Sequence, residues 1–315
     1  MREASAKAPD PGSLPIGGRE PEFAAAVAPR IGCHVSIAGG LAKAVTRAIE
    51  RGCECLQIFA SSPRVWRQRG HRPEEVAAFR LGLAHARIAP LFVHAAYLLN
   101  LASADPVLRR RSISLLARTC CSAHFLGASA VIVHCGSCDE HPMTAGLRRT
   151  ARSLAETLRR VPHSVVVDLE MTSGRPGSIG GSLAHFAAIL DLVHGEPRVR
   201  VFVDTAHAFA AGYDLRRPDG LLRLASGLAA FVGLDRVDGV HANDSKAPCG
   251  SRCDRHENIG EGHIGFAPFA AMMAHPAFRT LPFILETPGF DRLGPDLKNM
   301  RRLKALRGPR APYAP

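Results

Sequence analysis

The stretch 251-SRCDRHENIGEGHIG-265 places a carboxylate and an imidazole, Asp254 and His256, two positions apart in a Gly-rich run. The run has no apolar periodicity, so packing within a helix or a strand does not explain it. Both groups suit zinc, manganese or iron as ligands. The segment therefore directs attention to other His, Asp and Glu residues with which it could share metal ions.

Seven further residues of these types stand at the ends of short apolar runs. Each taken alone has an ordinary explanation: a His there is more often a hydrogen-bonded structural residue, and a lone Glu after PFIL could pair with an arginine. Whether they act together depends on the fold. The seven are His94, His134, Glu170, Asp204, His207, His241 and Glu286.

The elements that carry these residues alternate regularly along the chain. Eight apolar runs have strand character, and almost every one precedes a longer segment of helical character: IGCHVS, CLQIFA, PLFVHA, AVIVHC, SVVVDLE, VRVFVDTAH, VDGVHAND and PFILET. Eight β-then-α units predict one α/β domain, a (β/α)8 TIM barrel over residues 31–305. The C-terminal ends of barrel strands converge on one face, which would bring the polar residues together.

The size of the combined set predicts the number of ions. Several carboxylates on one face would repel one another unless cations intervened. A catalytic zinc takes roughly three protein ligands plus water, or four or five where a carboxylate bridges, so these nine side chains predict three metal ions. A cluster of closely spaced divalent ions is the usual arrangement for phosphoryl chemistry.

Five motifs resemble those of the endonuclease IV family, the zinc-dependent apurinic/apyrimidinic endonucleases of bacteria. They are 34-HVSIAGGLAKA-44, 94-HAAYLLNLAS-103, 203-VDTAHAFAAGYD-214, 241-HANDSKAPCGSRCDRHENIGEGHIG-265 and 284-ILET-287. The similarity covers about residues 31–305, and the third and fourth motifs are long and specific. The family fold is a (β/α)8 barrel, in agreement with the independent strand count.

The resemblance implies an assignment of the nine ligands to three ions. It places His94, His134 and Glu170 at the first ion; Glu170 as a bridge to the second, with Asp204, His241 and Glu286; and His207, Asp254 and His256 at the third. All nine positions carry these residues. Zinc is the expected cofactor, three ions per chain, with manganese or iron as alternatives at some sites.

The activity that the resemblance implies belongs to base excision repair of DNA. It is hydrolysis of the phosphodiester bond 5′ to an abasic site in double-stranded DNA, by a trinuclear zinc mechanism that leaves 3′-hydroxyl and 5′-deoxyribose phosphate ends. Glu170 and Glu286 are the predicted catalytic residues, and Glu286 combines its ligand role with orientation of the attacking water.

The resemblance implies that two side chains enter the DNA duplex at the flipped-out lesion, those of Arg64 and Tyr97. Around them the sequence departs from the most familiar members of the family. Ser62-Pro63 replaces a polar pair of the Asn-Gln type, and Ala95 occupies a place where an Asp can occur. These changes bear on the details of lesion contact and not on the reaction.

Other residues of the same loops have weaker assignments. Lys246 and Arg252, in 243-NDSKAPCGSR-252, are candidate phosphate contacts, with a solvated charge as an equally weighted alternative for each. Trp66 follows the second strand between basic residues, and we predict that it packs as the anchor of its loop.

Composition and charge restrict the remaining possibilities. A formal charge of +12 and a pI near 9.8 favour a polyanionic partner. Residues 1–30 are rich in Pro, Gly and Ala and predict a disordered leader, and residues 306–315 predict a flexible tail. With no secretory leader and no run near 18 apolar residues, we expect a cytoplasmic protein without a membrane partner. For the oligomeric state we assume a monomer. The nine cysteines are expected to be reduced, and Cys135 and Cys138 to be incidental buried thiols.

Two alternatives compete with this interpretation. The first is a metal-dependent sugar isomerase or epimerase of the related barrel superfamily, whose sites hold one or two metals and need no Asp254-x-His256 pair. The second is a barrel that binds DNA without cutting it, for which loss of a ligand would be the sequence signature. No ligand is lost in this sequence.

Overall fold

A closed barrel of eight parallel strands organises the computed structural model, which describes residues 28–68, 70–138 and 142–308. The strands in chain order are β1 (Ile31–His34), β2 (Leu56–Phe59), β3 (Leu91–His94), β4 (Ala130–Val133), β5 (Val167–Glu170), β6 (Val199–Asp204), β7 (Val237–His241), β8 (Asp244–Ser245), β9 (His256–Glu257) and β10 (Phe283–Leu285). All except β8 and β9 form the barrel, which closes where β10 pairs with β1. The predicted (β/α)8 fold is confirmed.

Helices follow the strands and surround the barrel. They are α1 (Leu41–Glu50), α2 (Pro73–His85), α3 (Pro106–Leu126), α4 (Met143–Leu158), α5 (Leu183–Leu192), α6 (Thr205–Ala210), α7 (Pro218–Phe231), α8 (Phe266–Ala274) and α9 (Leu297–Arg307). Local sequence sets several of their ends. Asp105, Ser182 and Asp296 accept backbone hydrogen bonds as N-caps of α3, α5 and α9, and Gly127 ends α3 with a left-handed φ of 76°.

Apolar side chains form two layers, one between strands and helices and a smaller one inside the barrel. The interior layer consists of Cys55, Phe92, Ala130, Ile132, Phe202 and Ile284. Its packing is close: a Cβ on Gly239 would lie 2.5 Å from the ring of Phe202. Glycine is therefore required at that position of β7.

The interior layer explains where the predicted ligands point. Side chains two residues apart on a strand share a face, so a residue two positions after an interior one also points inward, nearer the C-terminal end of the barrel. Predicted ligands occupy that position after Phe92, Ile132, Phe202 and Ile284: His94, His134, Asp204 and Glu286.

The N-terminal end of the described chain is hydrogen-bonded at the other end of the barrel. Arg30 donates a hydrogen bond to the carbonyl of Ala89 at 2.8 Å, and its own carbonyl accepts one from Phe283 N at 2.8 Å. Residues 1–27 of the predicted leader and 309–315 of the predicted tail lie outside the described residues, whereas residues 306 and 307 of that tail are the last two of α9. Within the described ranges, no helix combines the length and apolar character that crossing a membrane requires.

Candidate metal centre

The nine predicted ligands lie side by side at the C-terminal end of the barrel. Eight of them fall into three groups whose potential ligand atoms lie within 4.8 Å of one another. The groups share members, so they adjoin. The ninth residue, Asp254, lies beside the third group, with Oδ2 3.2 Å from Nε2 of His207.

The first group is His94, His134 and Glu170. Oε2 of Glu170 lies 3.0 Å from Nε2 of His94 and 2.6 Å from Nε2 of His134. His94 donates a 2.7 Å hydrogen bond from Nδ1 to the carbonyl of Ala95, which leaves Nε2 facing the carboxylate. This arrangement of a His held by a backbone carbonyl is typical of metal-binding histidines.

The second group is built from side chains on β5, β6, β7 and the end of β10. Nδ1 of His241 lies 2.8 Å from Oε1 of Glu170, 3.8 Å from Oδ2 of Asp204 and 3.6 Å from Oε2 of Glu286. Because Glu170 directs Oε2 to the first group and Oε1 to the second, its carboxylate lies between them.

The third group differs in one respect from the assignment that the resemblance implies. It contains His207 and His256, as expected, but also Asp204, whose Oδ2 is 3.7 Å from Nε2 of His256. Asp204 therefore lies between the second and third groups, as Glu170 lies between the first and second. Asp254 contacts this group through Oδ1, 3.4 Å from Nε2 of His256.

The third group also contains a buried nitrogen that makes no hydrogen bond among the described residues, although carboxylate oxygens of Asp254 and Asp204 lie 3.4 and 3.7 Å from it. Nε2 of His256 is shielded from solvent and makes no hydrogen bond within that part of the chain. A buried polar atom without a partner is unfavourable, and a cation would satisfy it. On the opposite side, His207 donates from Nδ1 to the carbonyl of Met171 at 2.7 Å, so its Nε2 faces the same space. The donor set thus fits a metal ion.

Strong electrostatic coupling links the buried acids and imidazoles. Burial opposes ionisation of Glu170, but His134 and His241 outweigh it and hold the pKa of this carboxyl well below its usual range. Burial would lower the pKa of His241, yet Glu286 and Glu170 raise it to about 9. Burial would raise the pKa of Glu286 as well, but the attraction of His241 outweighs burial, and this pKa falls to about 2. Glu170 and Glu286 are therefore charged. The imidazole protons balance this charge here, and a bound divalent cation could replace them.

The Gly-rich segment after His256 is folded around one buried carboxylate, Asp244. Its oxygens accept backbone N–H groups from Gly260, Gly262, Ile264 and Gly265 at 2.9–3.2 Å. Glycine is needed at the close approach, since a Cβ on Gly262 would lie 2.5 Å from Oδ1 of Asp244. The β8–β9 hairpin pairs Ser245 with His256, so Asp244 anchors the loop that carries the third group.

We predict that Asp244→Asn lowers the free energy of unfolding by about 3 kcal/mol, because an amide NH2 group cannot accept and at least two backbone N–H groups lose their acceptor. The measurement is the urea midpoint at unchanged slope. Asp191→Asn, on the exposed surface of α5, is the control and should shift stability by less than about 0.5 kcal/mol. Equal stability of Asp244→Asn and the wild type would contradict the anchoring role.

Two buried amides hold the centre, and sequence reasoning did not identify either. Asn243 donates from Nδ2 to Oδ2 of Asp204 at 2.7 Å and accepts from the backbone N of Glu286 at 2.8 Å. Gln57 contacts both His241 and Glu286. The sequence did carry a signal for Gln57, since it is a polar residue inside an apolar strand, the LQIF sequence of β2.

The four residues predicted to contact DNA are all exposed, and one of them, Tyr97, lies beside this centre. Tyr97 is 60% exposed, and its ring centroid lies 5.4 Å from that of His94 and 6.0 Å from that of His134. Arg64, Lys246 and Arg252 are exposed. Tyr97 is thus placed directly over the first group.

The loop that carries Arg64 is held by Trp66, and the prediction of an anchor is confirmed. The indole is partly buried against the core, and the guanidinium of Arg111 on α3 lies 4.4 Å from its ring centroid. Cys135 and Cys138 are both buried, as expected for incidental thiols.

Comparison with known sequences gives consistent matches over most of the chain. A family model described as a xylose isomerase-like TIM barrel matches residues 45–306. The chain is 37% identical over 279 residues to the probable endonuclease 4 of Methanoculleus marisnigri, covering 88% of this chain and 99% of that protein. It is 39% identical over 278 residues to the probable endonuclease 4 of Halobacterium salinarum, with 88% and 99% covered.

Solved structures match this chain at two levels of similarity. The endonuclease IV of Thermus thermophilus matches with a TM-score of 0.78 and 36% identity, over 88% of this chain and 98% of that one. A D-tagatose 3-epimerase-like protein matches with a TM-score of 0.67 at 19% identity, over 88% of this chain and 96% of that one. The second likeness shows the fold alone, because unrelated activities share this barrel.

Proposed function

The chain belongs to the endonuclease IV family of xylose isomerase-like TIM barrels, and on that premise we propose that it is a DNA repair endonuclease. The proposed reaction is hydrolysis of the phosphodiester bond 5′ to an apurinic/apyrimidinic site in double-stranded DNA. The observation that carries the proposal is the gathering of nine carboxylate and imidazole side chains in adjoining groups. A sugar isomerase with one or two metals has no use for the third group.

We assign one divalent ion to each group, with zinc expected at all three. When bound, such ions stabilise negative charge on phosphoryl oxygens and make water a better nucleophile near neutral pH. The protein's part is to set their spacing. Glu170 and Asp204, each lying between two groups, are the residues that fix it.

Glu286 is the carboxylate of the second group that we assign to orientation of the attacking water. Its side chain is 13% exposed, whereas those of Glu170 and Asp204 are fully buried. Only Glu286 within that group can therefore contact a water molecule that enters with the substrate. Its ligand role and this orienting role use the same carboxylate.

Lesion recognition is assigned to the two residues at the rim, Arg64 and Tyr97. An exposed aromatic ring above the first group can stack where a nucleotide has been flipped out, and an exposed guanidinium can occupy the space left in the duplex. Lys246 and Arg252 are proposed to hold the phosphate backbone. The products are a 3′-hydroxyl end and a 5′-deoxyribose phosphate.

The experiment that tests this function is incision of a duplex with one synthetic abasic analogue, without added magnesium. We expect a single cut on the 5′ side of the lesion and a 3′ end that a DNA polymerase extends. An otherwise identical duplex without the lesion is the control and should stay intact. Tight binding with no incision by the metal-loaded protein would favour the alternative of a DNA-binding barrel.

Arg64→Ala should weaken binding to lesion-containing duplex while leaving the metal content intact. Loss of one inserted guanidinium is expected to raise Kd by roughly 5- to 150-fold, or about 1–3 kcal/mol. The measurement is a binding titration at fixed salt. Arg159→Ala removes an equal charge from the exposed C-terminal end of α4, and should leave Kd nearly unchanged. Equal affinity of Arg64→Ala and the wild type would refute the insertion role.

A further inference from the structure

Gln57 is a fully buried amide in β2, directed at the second group of the metal centre. Its Oε1 lies 2.7 Å from Nε2 of His241, and its Nε2 lies 2.6 Å from Oε1 of Glu286 and 3.0 Å from Nδ1 of His34. It thus joins two predicted ligands on neighbouring barrel strands to a third strand that supplies no ligand. Neither the sequence motifs nor the assignment by resemblance gave this residue a role.

The chemistry of the partners fixes the orientation of the amide. The carboxylate of Glu286 can only accept, so the NH2 group of Gln57 must face it. The carbonyl oxygen then faces His241, whose Nε2 must donate. With Nε2 donating to Gln57, Nδ1 is the nitrogen left to face an ion; here it lies 2.8 Å from Glu170, to which it donates, and a bound cation would replace that proton.

We propose that Gln57 is a positioning residue that fixes the orientation of the His241 ring and of the Glu286 carboxylate, so that Nδ1 of His241 and an oxygen of Glu286 both face the second ion. The inference rests on the proposed function, because it assumes that this group binds metal. The inference goes beyond the proposed function because it names a residue that touches neither metal nor DNA and still controls whether the second group holds its ion.

The role requires an amide. One side chain must accept a hydrogen bond from His241 and donate a hydrogen bond to Glu286 across the same short gap. Glutamate could accept but would set a second negative charge against Glu286, and leucine of similar size could do neither. Gln57→Glu therefore tests the hydrogen bond donated to Glu286, and Gln57→Leu tests both hydrogen bonds together. Neither replacement creates a large cavity.

The test compares zinc binding by Gln57→Leu, Gln57→Glu and wild-type protein. Elemental analysis counts the ions, and competition with a chromophoric chelator gives the affinity of the weakest site. We expect both variants to lose one ion, with an affinity for it that is about 10- to 100-fold lower, and to keep the other two. Incision should fall in kcat at nearly constant KM, because Gln57 does not face the duplex.

Cys55→Ala is the matched control, since Cys55 lies two residues earlier in the barrel interior, with Sγ 3.7 Å from the carbonyl of Phe283. It should keep three ions at wild-type affinity. If Gln57→Leu also keeps three ions at wild-type affinity, the inference is wrong while the proposed function stands. If the wild-type protein holds no metal and does not cut, both are wrong.

Discussion

Replacing Glu170 by glutamine is expected to abolish turnover, with incision at least about a thousandfold slower, a loss of about 4 kcal/mol of transition-state stabilisation. Glu170 is fully buried and directs one oxygen to the first group and the other to the second. A neutral amide offers one acceptor oxygen and cannot bridge two cations. The variant should therefore also hold fewer ions than the wild type.

The measurement for Glu170→Gln combines single-turnover incision with elemental analysis of the same sample. Glu156→Gln, on the outer helix α4, removes one carboxylate far from the centre and should behave as wild type. A circular dichroism spectrum that matches the wild type would show that the loss is not one of folding. Wild-type rates in Glu170→Gln would rule out the bridging role.

Replacing Asp254 by alanine is expected to slow incision about 100- to 1,000-fold and to remove one ion. The carboxylate contacts both His207 and His256, and an ion lost from the third group takes with it several kcal/mol of charge stabilisation. Because the Asp254 side chain is 44% exposed, its truncation leaves no buried cavity, so the effect on folding should be small.

Arg255→Ala is the control for this prediction, since Arg255 is the exposed neighbour on the same loop. It should retain three ions. Two ions in Asp254→Ala and three in Arg255→Ala would support the third group as a metal site. Three tightly held ions in Asp254→Ala would show that His207, His256 and Asp204 suffice without it.

The sequence was sufficient to predict the fold and most of the centre because one rule governs both. Barrel strands are buried on both faces, so they read as apolar runs, and the polar residue at the end of each run must lie at the barrel mouth. His94, His134, Glu170, His241 and Glu286 follow this rule, and the structure brings them together.

The parts that escaped prediction depend on which groups touch across the barrel. The position of Asp204 between two groups follows from the approach of the His256 loop, which has no periodicity to read. Gln57 lies within an apolar run, where an amide has no sequence signature of its own. The anchoring role of Asp244 is set by backbone N–H groups that lie 16 to 21 residues later.

The central proposal is that cutting requires three metal ions held by these nine residues, and one measurement tests it most directly. Elemental analysis of the purified protein is run beside incision of an abasic duplex, before and after prolonged chelation and after return of zinc. We predict nearly three ions per chain, cutting on the 5′ side that chelation abolishes, and recovery with zinc. One ion per chain with no cutting, or full cutting by metal-free protein, would contradict the account.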